Sequence, residues 1–220
     1  MKQLLLFICL LFSITVFSQQ NKFDLGIIGG PSITYLRSSA KNSKISPNIG
    51  FYAGVSAQYN FNKYCALHTE MAFERKGDAT KVTLTDINGN VIGTPKFTFQ
   101  YNCLTLPVLF RASFGEKVKF FLNAGPYVSY LLKAEYKNIL GYNSSDGNNF
   151  NETSYLHKID VGITQGLGII IPVQNKLYLS CELRDNLGIV GLFKSTNYSN
   201  GQSYNHSLAL LFGLNYKFGK

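Results

Sequence analysis

An all-β fold, an eight-stranded antiparallel up-and-down transmembrane β-barrel with short periplasmic turns and longer extracellular loops, is predicted by three observations. Eight stretches alternate apolar residues with polar or small ones at the two-residue period of a strand. The connectors between them are short, then long, in strict turn, as in outer-membrane barrels. Aromatic residues gather at both ends of the stretches, as the two interfacial girdles of such a barrel require. Tyr59, Phe61, Phe114, Phe120, Tyr216 and Phe218 mark one end, and Tyr35, Phe97, Phe99, Tyr130 and Tyr204 the other.

Ahead of the strands, Lys2, the apolar run Leu4 to Phe17 and the small cleavage-site residues Val16 and Ser18 read as a secretory signal peptide over residues 1–18. That run is short of the roughly 20 apolar residues a spanning helix needs. The barrel domain then covers residues 19–220, in a chain addressed to the bacterial outer membrane.

The first stretch, Phe23 to Leu36, alternates acceptably, and Ile49 to Phe61 sets Ile49, Phe51, Ala53, Val55, Ala57 and Tyr59 against Gly50, Tyr52, Gly54, Ser56 and Gln58. The third places Cys65, Leu67, Met71 and Phe73 against Ala66, His68, Glu70, Ala72 and Glu74. Asn88-Gly89, between Val82-Thr83-Leu84 and Val91-Ile92, is a type I′ hairpin signal within the loop from Asp78 to Lys96. Asp86, Asn88 and Asn90 resemble a calcium loop, but Gly89 is misplaced and the distal Glu is absent.

Phe97 to Phe114 changes phase near Asn102, which predicts a β-bulge. Phe120 to Tyr136 puts Leu122, Val128 and Leu132 outward and Asn123, Tyr127, Ser129, Lys133 and Glu135 inward. In the sixth stretch, Ile159 to Ile171, the small residues Gly162, Gly166 and Gly168 share one face and make room for large neighbours. The seventh, Leu177 to Ile189, carries Asp185 on its apolar face toward the outer end, where a lipid-facing charge costs about 0 to 1 kcal/mol. The eighth, Tyr204 to Phe218, alternates most cleanly. The turns Asn60 to Tyr64, Gly115 to Val118 and Pro172 to Lys176 are periplasmic; Arg37 to Lys44, Asp78 to Lys96, Lys137 to Leu156 and Leu192 to Ser203 face outward.

The net charge of +9 falls by one when Lys2 leaves with the signal peptide. Arg37, Lys41, Lys44, Lys76, Lys81, Lys96, Lys137, Lys158 and Lys194 sit at strand ends and in loops, so they read as a solvated rim that can meet lipid phosphates. Export argues against nucleic acid as a partner. Cys65, Cys103 and Cys181 form an odd set without CxxC spacing or clustered histidines, which argues against a disulfide framework and a zinc site. No cofactor or metal is expected.

An eight-stranded barrel has an interior just wide enough for side chains to fill it. Among the inward residues, Glu70, Glu74, Arg111, Glu182 and Arg184 are the candidate site, a lumen polar network pairing as a salt-bridged plug. A gated ion or small-solute path through it is the alternative. An enzyme is not expected; the arrangement to weigh is a lipid hydrolase in which Ser56 lies opposite His68, with Glu70 beyond, yet no nucleophile elbow or oxyanion donor accompanies it. His157 and His206 read as solvated at the outer rim. A soluble lipocalin-like cup would use the same alternation with its apolar face turned inward.

The chain also resembles the PorT-like outer-membrane β-barrel proteins of Bacteroidetes-type bacteria over essentially its whole mature length. The matching stretches are Asp24-Leu25-Gly26 with Gly29-Gly30, Ala72 to Gly77, Tyr101 to Phe110 around Leu106-Pro107, Asn123 to Tyr127, Asp160-Val161-Gly162 through Gly168, and Gly213 to Phe218. Thr105 stands where such proteins often carry an acidic residue. The resemblance implies an outer-membrane protein of structural, adhesion or assembly and secretion-associated role. Its implied partners are outer-membrane lipids and lipopolysaccharide, the barrel-assembly machinery, and an extracellular or secretion partner met through the loops.

Overall fold

The computed structural model describes residues 22–38, 45–81, 83–94, 96–138, 150–151, 153–193 and 203–218. The signal-peptide reading over 1–18 and the rim residues Lys41, Lys44 and Lys194 lie outside them. Eight long strands form the wall: β1 (Phe23–Ser38), β2 (Ile45–Asn60), β3 (Cys65–Lys81), β6 (Lys96–Phe114), β7 (Lys119–Asn138), β9 (Ile159–Pro172), β10 (Leu177–Gly188) and β11 (Ser203–Phe218). Three short strands belong to the outer loops: β4 (Leu84–Thr85), β5 (Val91–Gly93) and β8 (Phe150–Asn151). The sheet runs β6-β3-β2-β1-β11-β10-β9-β7, and β6 also pairs with β7, so the eight strands form a closed ring in which the first and last, β1 and β11, are neighbours. Every wall pairing is antiparallel. Closure leaves the long strands no free edge, which is what allows a sheet to stand in hydrocarbon.

Alternation decides which face meets lipid. Ile27, Ile49, Val55, Met71, Leu122, Leu167 and Phe212 are exposed on the outer surface, while Tyr52, His68, Glu70, Arg111, Thr164 and Arg184 are buried in the lumen. The lipocalin-like alternative is therefore overturned: the apolar face points out.

Tight connections at 61–64, 115–118 and 173–176 gather at one end with the aromatic pairs Phe23–Tyr59, Tyr59–Phe61, Phe114–Phe120 and Tyr216–Phe218. The first turn differs from expectation. Asn62 Oδ1 accepts the amides of Tyr64 and Cys65 at 2.8 and 2.9 Å, and Phe61 N–H donates to Cys65 O at 3.0 Å, so Asn60 pairs with Ala66. Ser56 consequently pairs with Glu70, and Gln58 with His68.

Register also shifts between Asn102 and Cys103, beside the expected bulge. Asn102 pairs with Lys133 but Cys103 with Leu131, so the extra residue is Leu132 on β7. That residue reverses the alternation of β7: Ala134 is buried, and Lys133 is exposed on the outer surface, not inward as its parity implied.

At the outer end, β4 and β5 form a hairpin whose turn is not the two-residue type I′ form. Gly89 N–H donates to Asp86 O at 3.1 Å and Asp86 N–H to Asn90 O at 2.9 Å, with Gly89 at φ +83°, the three-residue turn with a glycine bulge. Asp86 is the turn's anchor: Oδ1 accepts the Asn88 and Asn90 amides, each at 2.8 Å, and Oδ2 the Asn90 side chain at 3.0 Å. The Asn90 side-chain amide and then its backbone amide hold the Asp86 carboxyl below its ordinary range. A depressed carboxylate stabilises the folded turn above its unfolded pKa, and that stability is lost as pH falls through the folded value. The protection of the Asn88 and Asn90 amides, measured as exchange relative to the intrinsic rate at each pH, is thus expected to fall on acidification below the normal Asp range, and Asp86→Ala to abolish that pH-dependent protection.

Candidate functional site

The lumen holds two charged clusters stacked along the barrel axis. In the lower one, Arg184 from β10 is 1% exposed and reaches two carboxylates at once. Its Nη1 and Nη2 donate to Glu70 Oε2 and Oε1, both at 2.7 Å, and its Nε and Nη2 to Glu182 Oε1 and Oε2, both at 2.9 Å. Two planar forks on one guanidinium make strong, direction-fixing ion pairs. Tyr52 completes the Glu70 shell through its hydroxyl at 2.6 Å, and His68 Nε2 lies 2.8 Å from Glu70 Oε1. Arg111 on β6 lies 3.7 Å from Glu182, donates to Asn123 Oδ1 and Gln58 Oε1 at 2.8 Å each, and stacks 4.2 Å over Phe121.

Glu74, the remaining expected member, sits higher and belongs to the second cluster. Thr105 and Ser207 donate to its two oxygens, each at 2.9 Å. Lys76 lies 3.4 Å from both Glu74 and Asp160, with its ammonium 4.9 Å above the Tyr127 ring. Asn205 and Tyr127 donate to Asp160 Oδ2 at 2.8 and 3.2 Å, and Tyr101 hydroxyl donates to Asn205 at 2.5 Å.

Lys76 was expected in the solvated rim; it is 1% exposed and lies inside. It shares the parity of Glu70 and Glu74, and continuing the third strand two residues further would have found it. Its partner Asp160 shares the inward parity of Gly162 and Gly166 on β9.

Apolar groups cap this polar column. Leu36, Tyr101, Cys103, Leu131 and Ala134 of the wall pack with Leu156 and Leu192 from the outer loops at the extracellular end. The bridge between Leu156 and Phe193 and the bond from His157 N–H to Leu192 O, 2.9 Å, tie the two loops across the mouth. At the opposite end a vestibule of about 270 Å³, lined in part by Asp24, Gln58, Tyr178 and Lys217, opens to the periplasm. Asp24 there accepts from Tyr178 hydroxyl at 2.7 Å and from Gln58 and Asn60 at 3.3 and 3.2 Å.

The hydrolase arrangement is not assembled. Ser56 Oγ donates to Asn215 Oδ1 at 3.1 Å and pairs across the sheet with Glu70, so it does not engage His68. Outside the barrel, His206 is not free in solvent: its Nε2 lies 2.5 Å from Asp185 Oδ1, and its ring centroid 4.5 Å from that of Tyr35. Gln165 donates to Asp185 Oδ2 at 3.1 Å, so the anomalous aspartate of the lipid face is met on both sides. The other nitrogen of His206, Nδ1, is buried without a partner, which leaves no accessible base there. No group of three or more His, Cys, Asp or Glu side chains suited to a metal ion occurs among the described residues, and Cys65, Cys103 and Cys181 are all free thiols.

Residues 17–194 match a family model described as the outer membrane protein beta-barrel domain. Among solved structures, Neisserial surface protein A is similar at 17% identity and a TM-score of 0.51, over 89% of this chain and 97% of that one. The outer membrane protein OprG of Pseudomonas aeruginosa is similar at 11% identity and a TM-score of 0.46, over 90% and 97%. No curated protein matches.

Proposed function

We propose that this chain, which belongs to the family of outer membrane protein beta-barrel domains, works as a closed, non-conducting barrel that holds its extracellular loops at the cell surface. The outer membrane is its location, and lipid surrounds its apolar wall. The observation that carries the reading is the double occlusion of the lumen. Arg184, Glu70, Glu182 and Arg111 fill its lower half with ion-paired side chains, and the Leu156–Leu192 cluster covers its outer end. A packed interior of this width leaves no continuous water column.

What remains for function is the loop surface, where Ile87, Val91 and Ile92 of the projecting hairpin are exposed. Apolar side chains held away from both core and bilayer suit contact with another macromolecule. A structural, adhesion, or assembly and secretion-associated role follows, and the PorT-like resemblance favours the last, with the barrel-assembly machinery as the route of insertion. The separation of Ser56 from His68 and the engaged state of His206 support a role without catalysis.

A gated ion path is the second reading, favoured by the vestibule and the column of charged groups above it. Planar-bilayer recording distinguishes the two. The closed barrel gives no conductance steps; a channel gives steps that change on Arg184→Ala. Steady steps in the unaltered protein would overturn the closed reading.

A further inference from the structure

Arg75 stands apart from the lumen network. Its strand parity turns it outward, beside Phe51 and Phe73 on the lipid side, and its guanidinium lies 4.9 Å over the Phe51 ring. Asn102 Oδ1 accepts from Nε at 3.1 Å, which fixes the plane of the fork. Neither terminal nitrogen has an acidic partner among the described residues. Ten residues separate it from Cys65 at the periplasmic end of β3. At ~3.3 Å per residue and ~40° of tilt it stands roughly 25 Å higher, at the outer edge of the apolar band.

The same row extends across the wall. Arg75 pairs with Asn102, and Asn102 with Lys133, the residue that the Leu132 bulge turns outward and that pairs with Glu135. Bulges re-aim side chains in this way. An oriented guanidinium without an acidic partner at a bilayer edge, with an aromatic shelf below it, complements an anion carried on a lipid. A planar fork matches two oxygens of one phosphate.

We propose that Arg75, oriented by Asn102 and Phe51, binds a phosphate group of an outer-leaflet glycolipid. The acyl chains of that lipid lie on the apolar wall beneath, against Phe51, Phe73 and Leu104. This goes beyond the general rim of positive charge, because it assigns one site and one chemistry.

The test uses the full chain in phosphatidylcholine nanodiscs, titrated with diphosphoryl lipid A and with its enzymatically dephosphorylated form, bound lipid being counted by native mass spectrometry. Arg75→Gln is expected to weaken diphosphoryl lipid A binding at least about fivefold, equivalent to about 1 kcal/mol. Arg75→Lys recovers part of that loss, since a point charge remains but the fork does not. Heat-dependent gel mobility verifies that each variant is folded. Equal binding of the two lipid forms by the unaltered protein overturns the proposal, whether or not Arg75→Gln folds. Displacement of lipid A by millimolar inorganic phosphate overturns the lipid assignment.

Discussion

Arg184→Ala is expected to lower barrel stability by about 3–5 kcal/mol, the cost of leaving buried carboxylates without their partner. Glu70 and Glu182 are 3% and 2% exposed and would face each other across a void, with only His68, Tyr52 and the more distant Arg111 left to them. The measurement is the urea midpoint of the protein refolded into detergent micelles, with an unchanged slope showing that the same surface unfolds. The joint variant Arg184→Met, Glu70→Gln is expected to regain much of the loss, because Glu182 keeps Arg111 as its counter-ion and no unpaired carboxylate is left. A shift below about 1 kcal/mol for Arg184→Ala would mean that water enters and solvates the carboxylates, and the occluded lumen would fall with it.

Gly168→Val ranks next. A Cβ at Gly168 would lie 2.4 Å from Phe121 Cζ and 2.3 Å from Cys181 O, and one at Gly162 would lie 2.4 Å from Tyr127 Cε1 and 2.2 Å from Leu187 O. These glycines let two large rings of β7 lie flat against β9. The ring could turn aside; the neighbouring backbone oxygen cannot. Overpacking of this kind costs about 1–3 kcal/mol or more, so Gly168→Val is expected to fold poorly, with little heat-shifted species on a gel. Phe121→Leu should recover only part of the loss, since the clash with β10 remains. Gly93→Ala, with nothing within 4 Å, is the neutral control.

Much of this architecture was legible because a barrel wall has a two-residue period and two different solvents. Clean alternation in Tyr204 to Phe218 gave the strand and its apolar face, while the short-then-long connectors favoured turning that face to lipid and gave the orientation. Glu70, Arg111, Glu182 and Arg184 were legible as inward residues by parity alone, and the fold joins them in one chain of ion pairs, Glu70 to Arg184 to Glu182 to Arg111.

Three things escaped because they depend on single residues at irregular places. The side chain of Asn62 lengthens the first turn, and a shift of two residues separates Ser56 from His68 while preserving every face. Leu132 reverses the parity of Lys133, and a bulge on one strand leaves no mark in that strand's composition. Lys76 was read as rim because charge near a strand end usually is. Its partners, Glu74 and Asp160, are 2 and 84 residues away, and only closure of the sheet brings the second one near.

That separation governs how the chain enters the membrane. Arg184 and Glu70 lie 114 residues apart, on β10 and β3, and the wall closes only when β1 meets β11. A half-formed sheet in hydrocarbon would carry Arg111 without Glu182, and Arg184 and Lys76 with only the carboxylate of their own strand, lacking Glu70 and Asp160, at up to several kcal/mol each. Partly inserted intermediates are therefore penalised, and strand pairing, charge neutralisation and passage into the bilayer are driven into a single cooperative step.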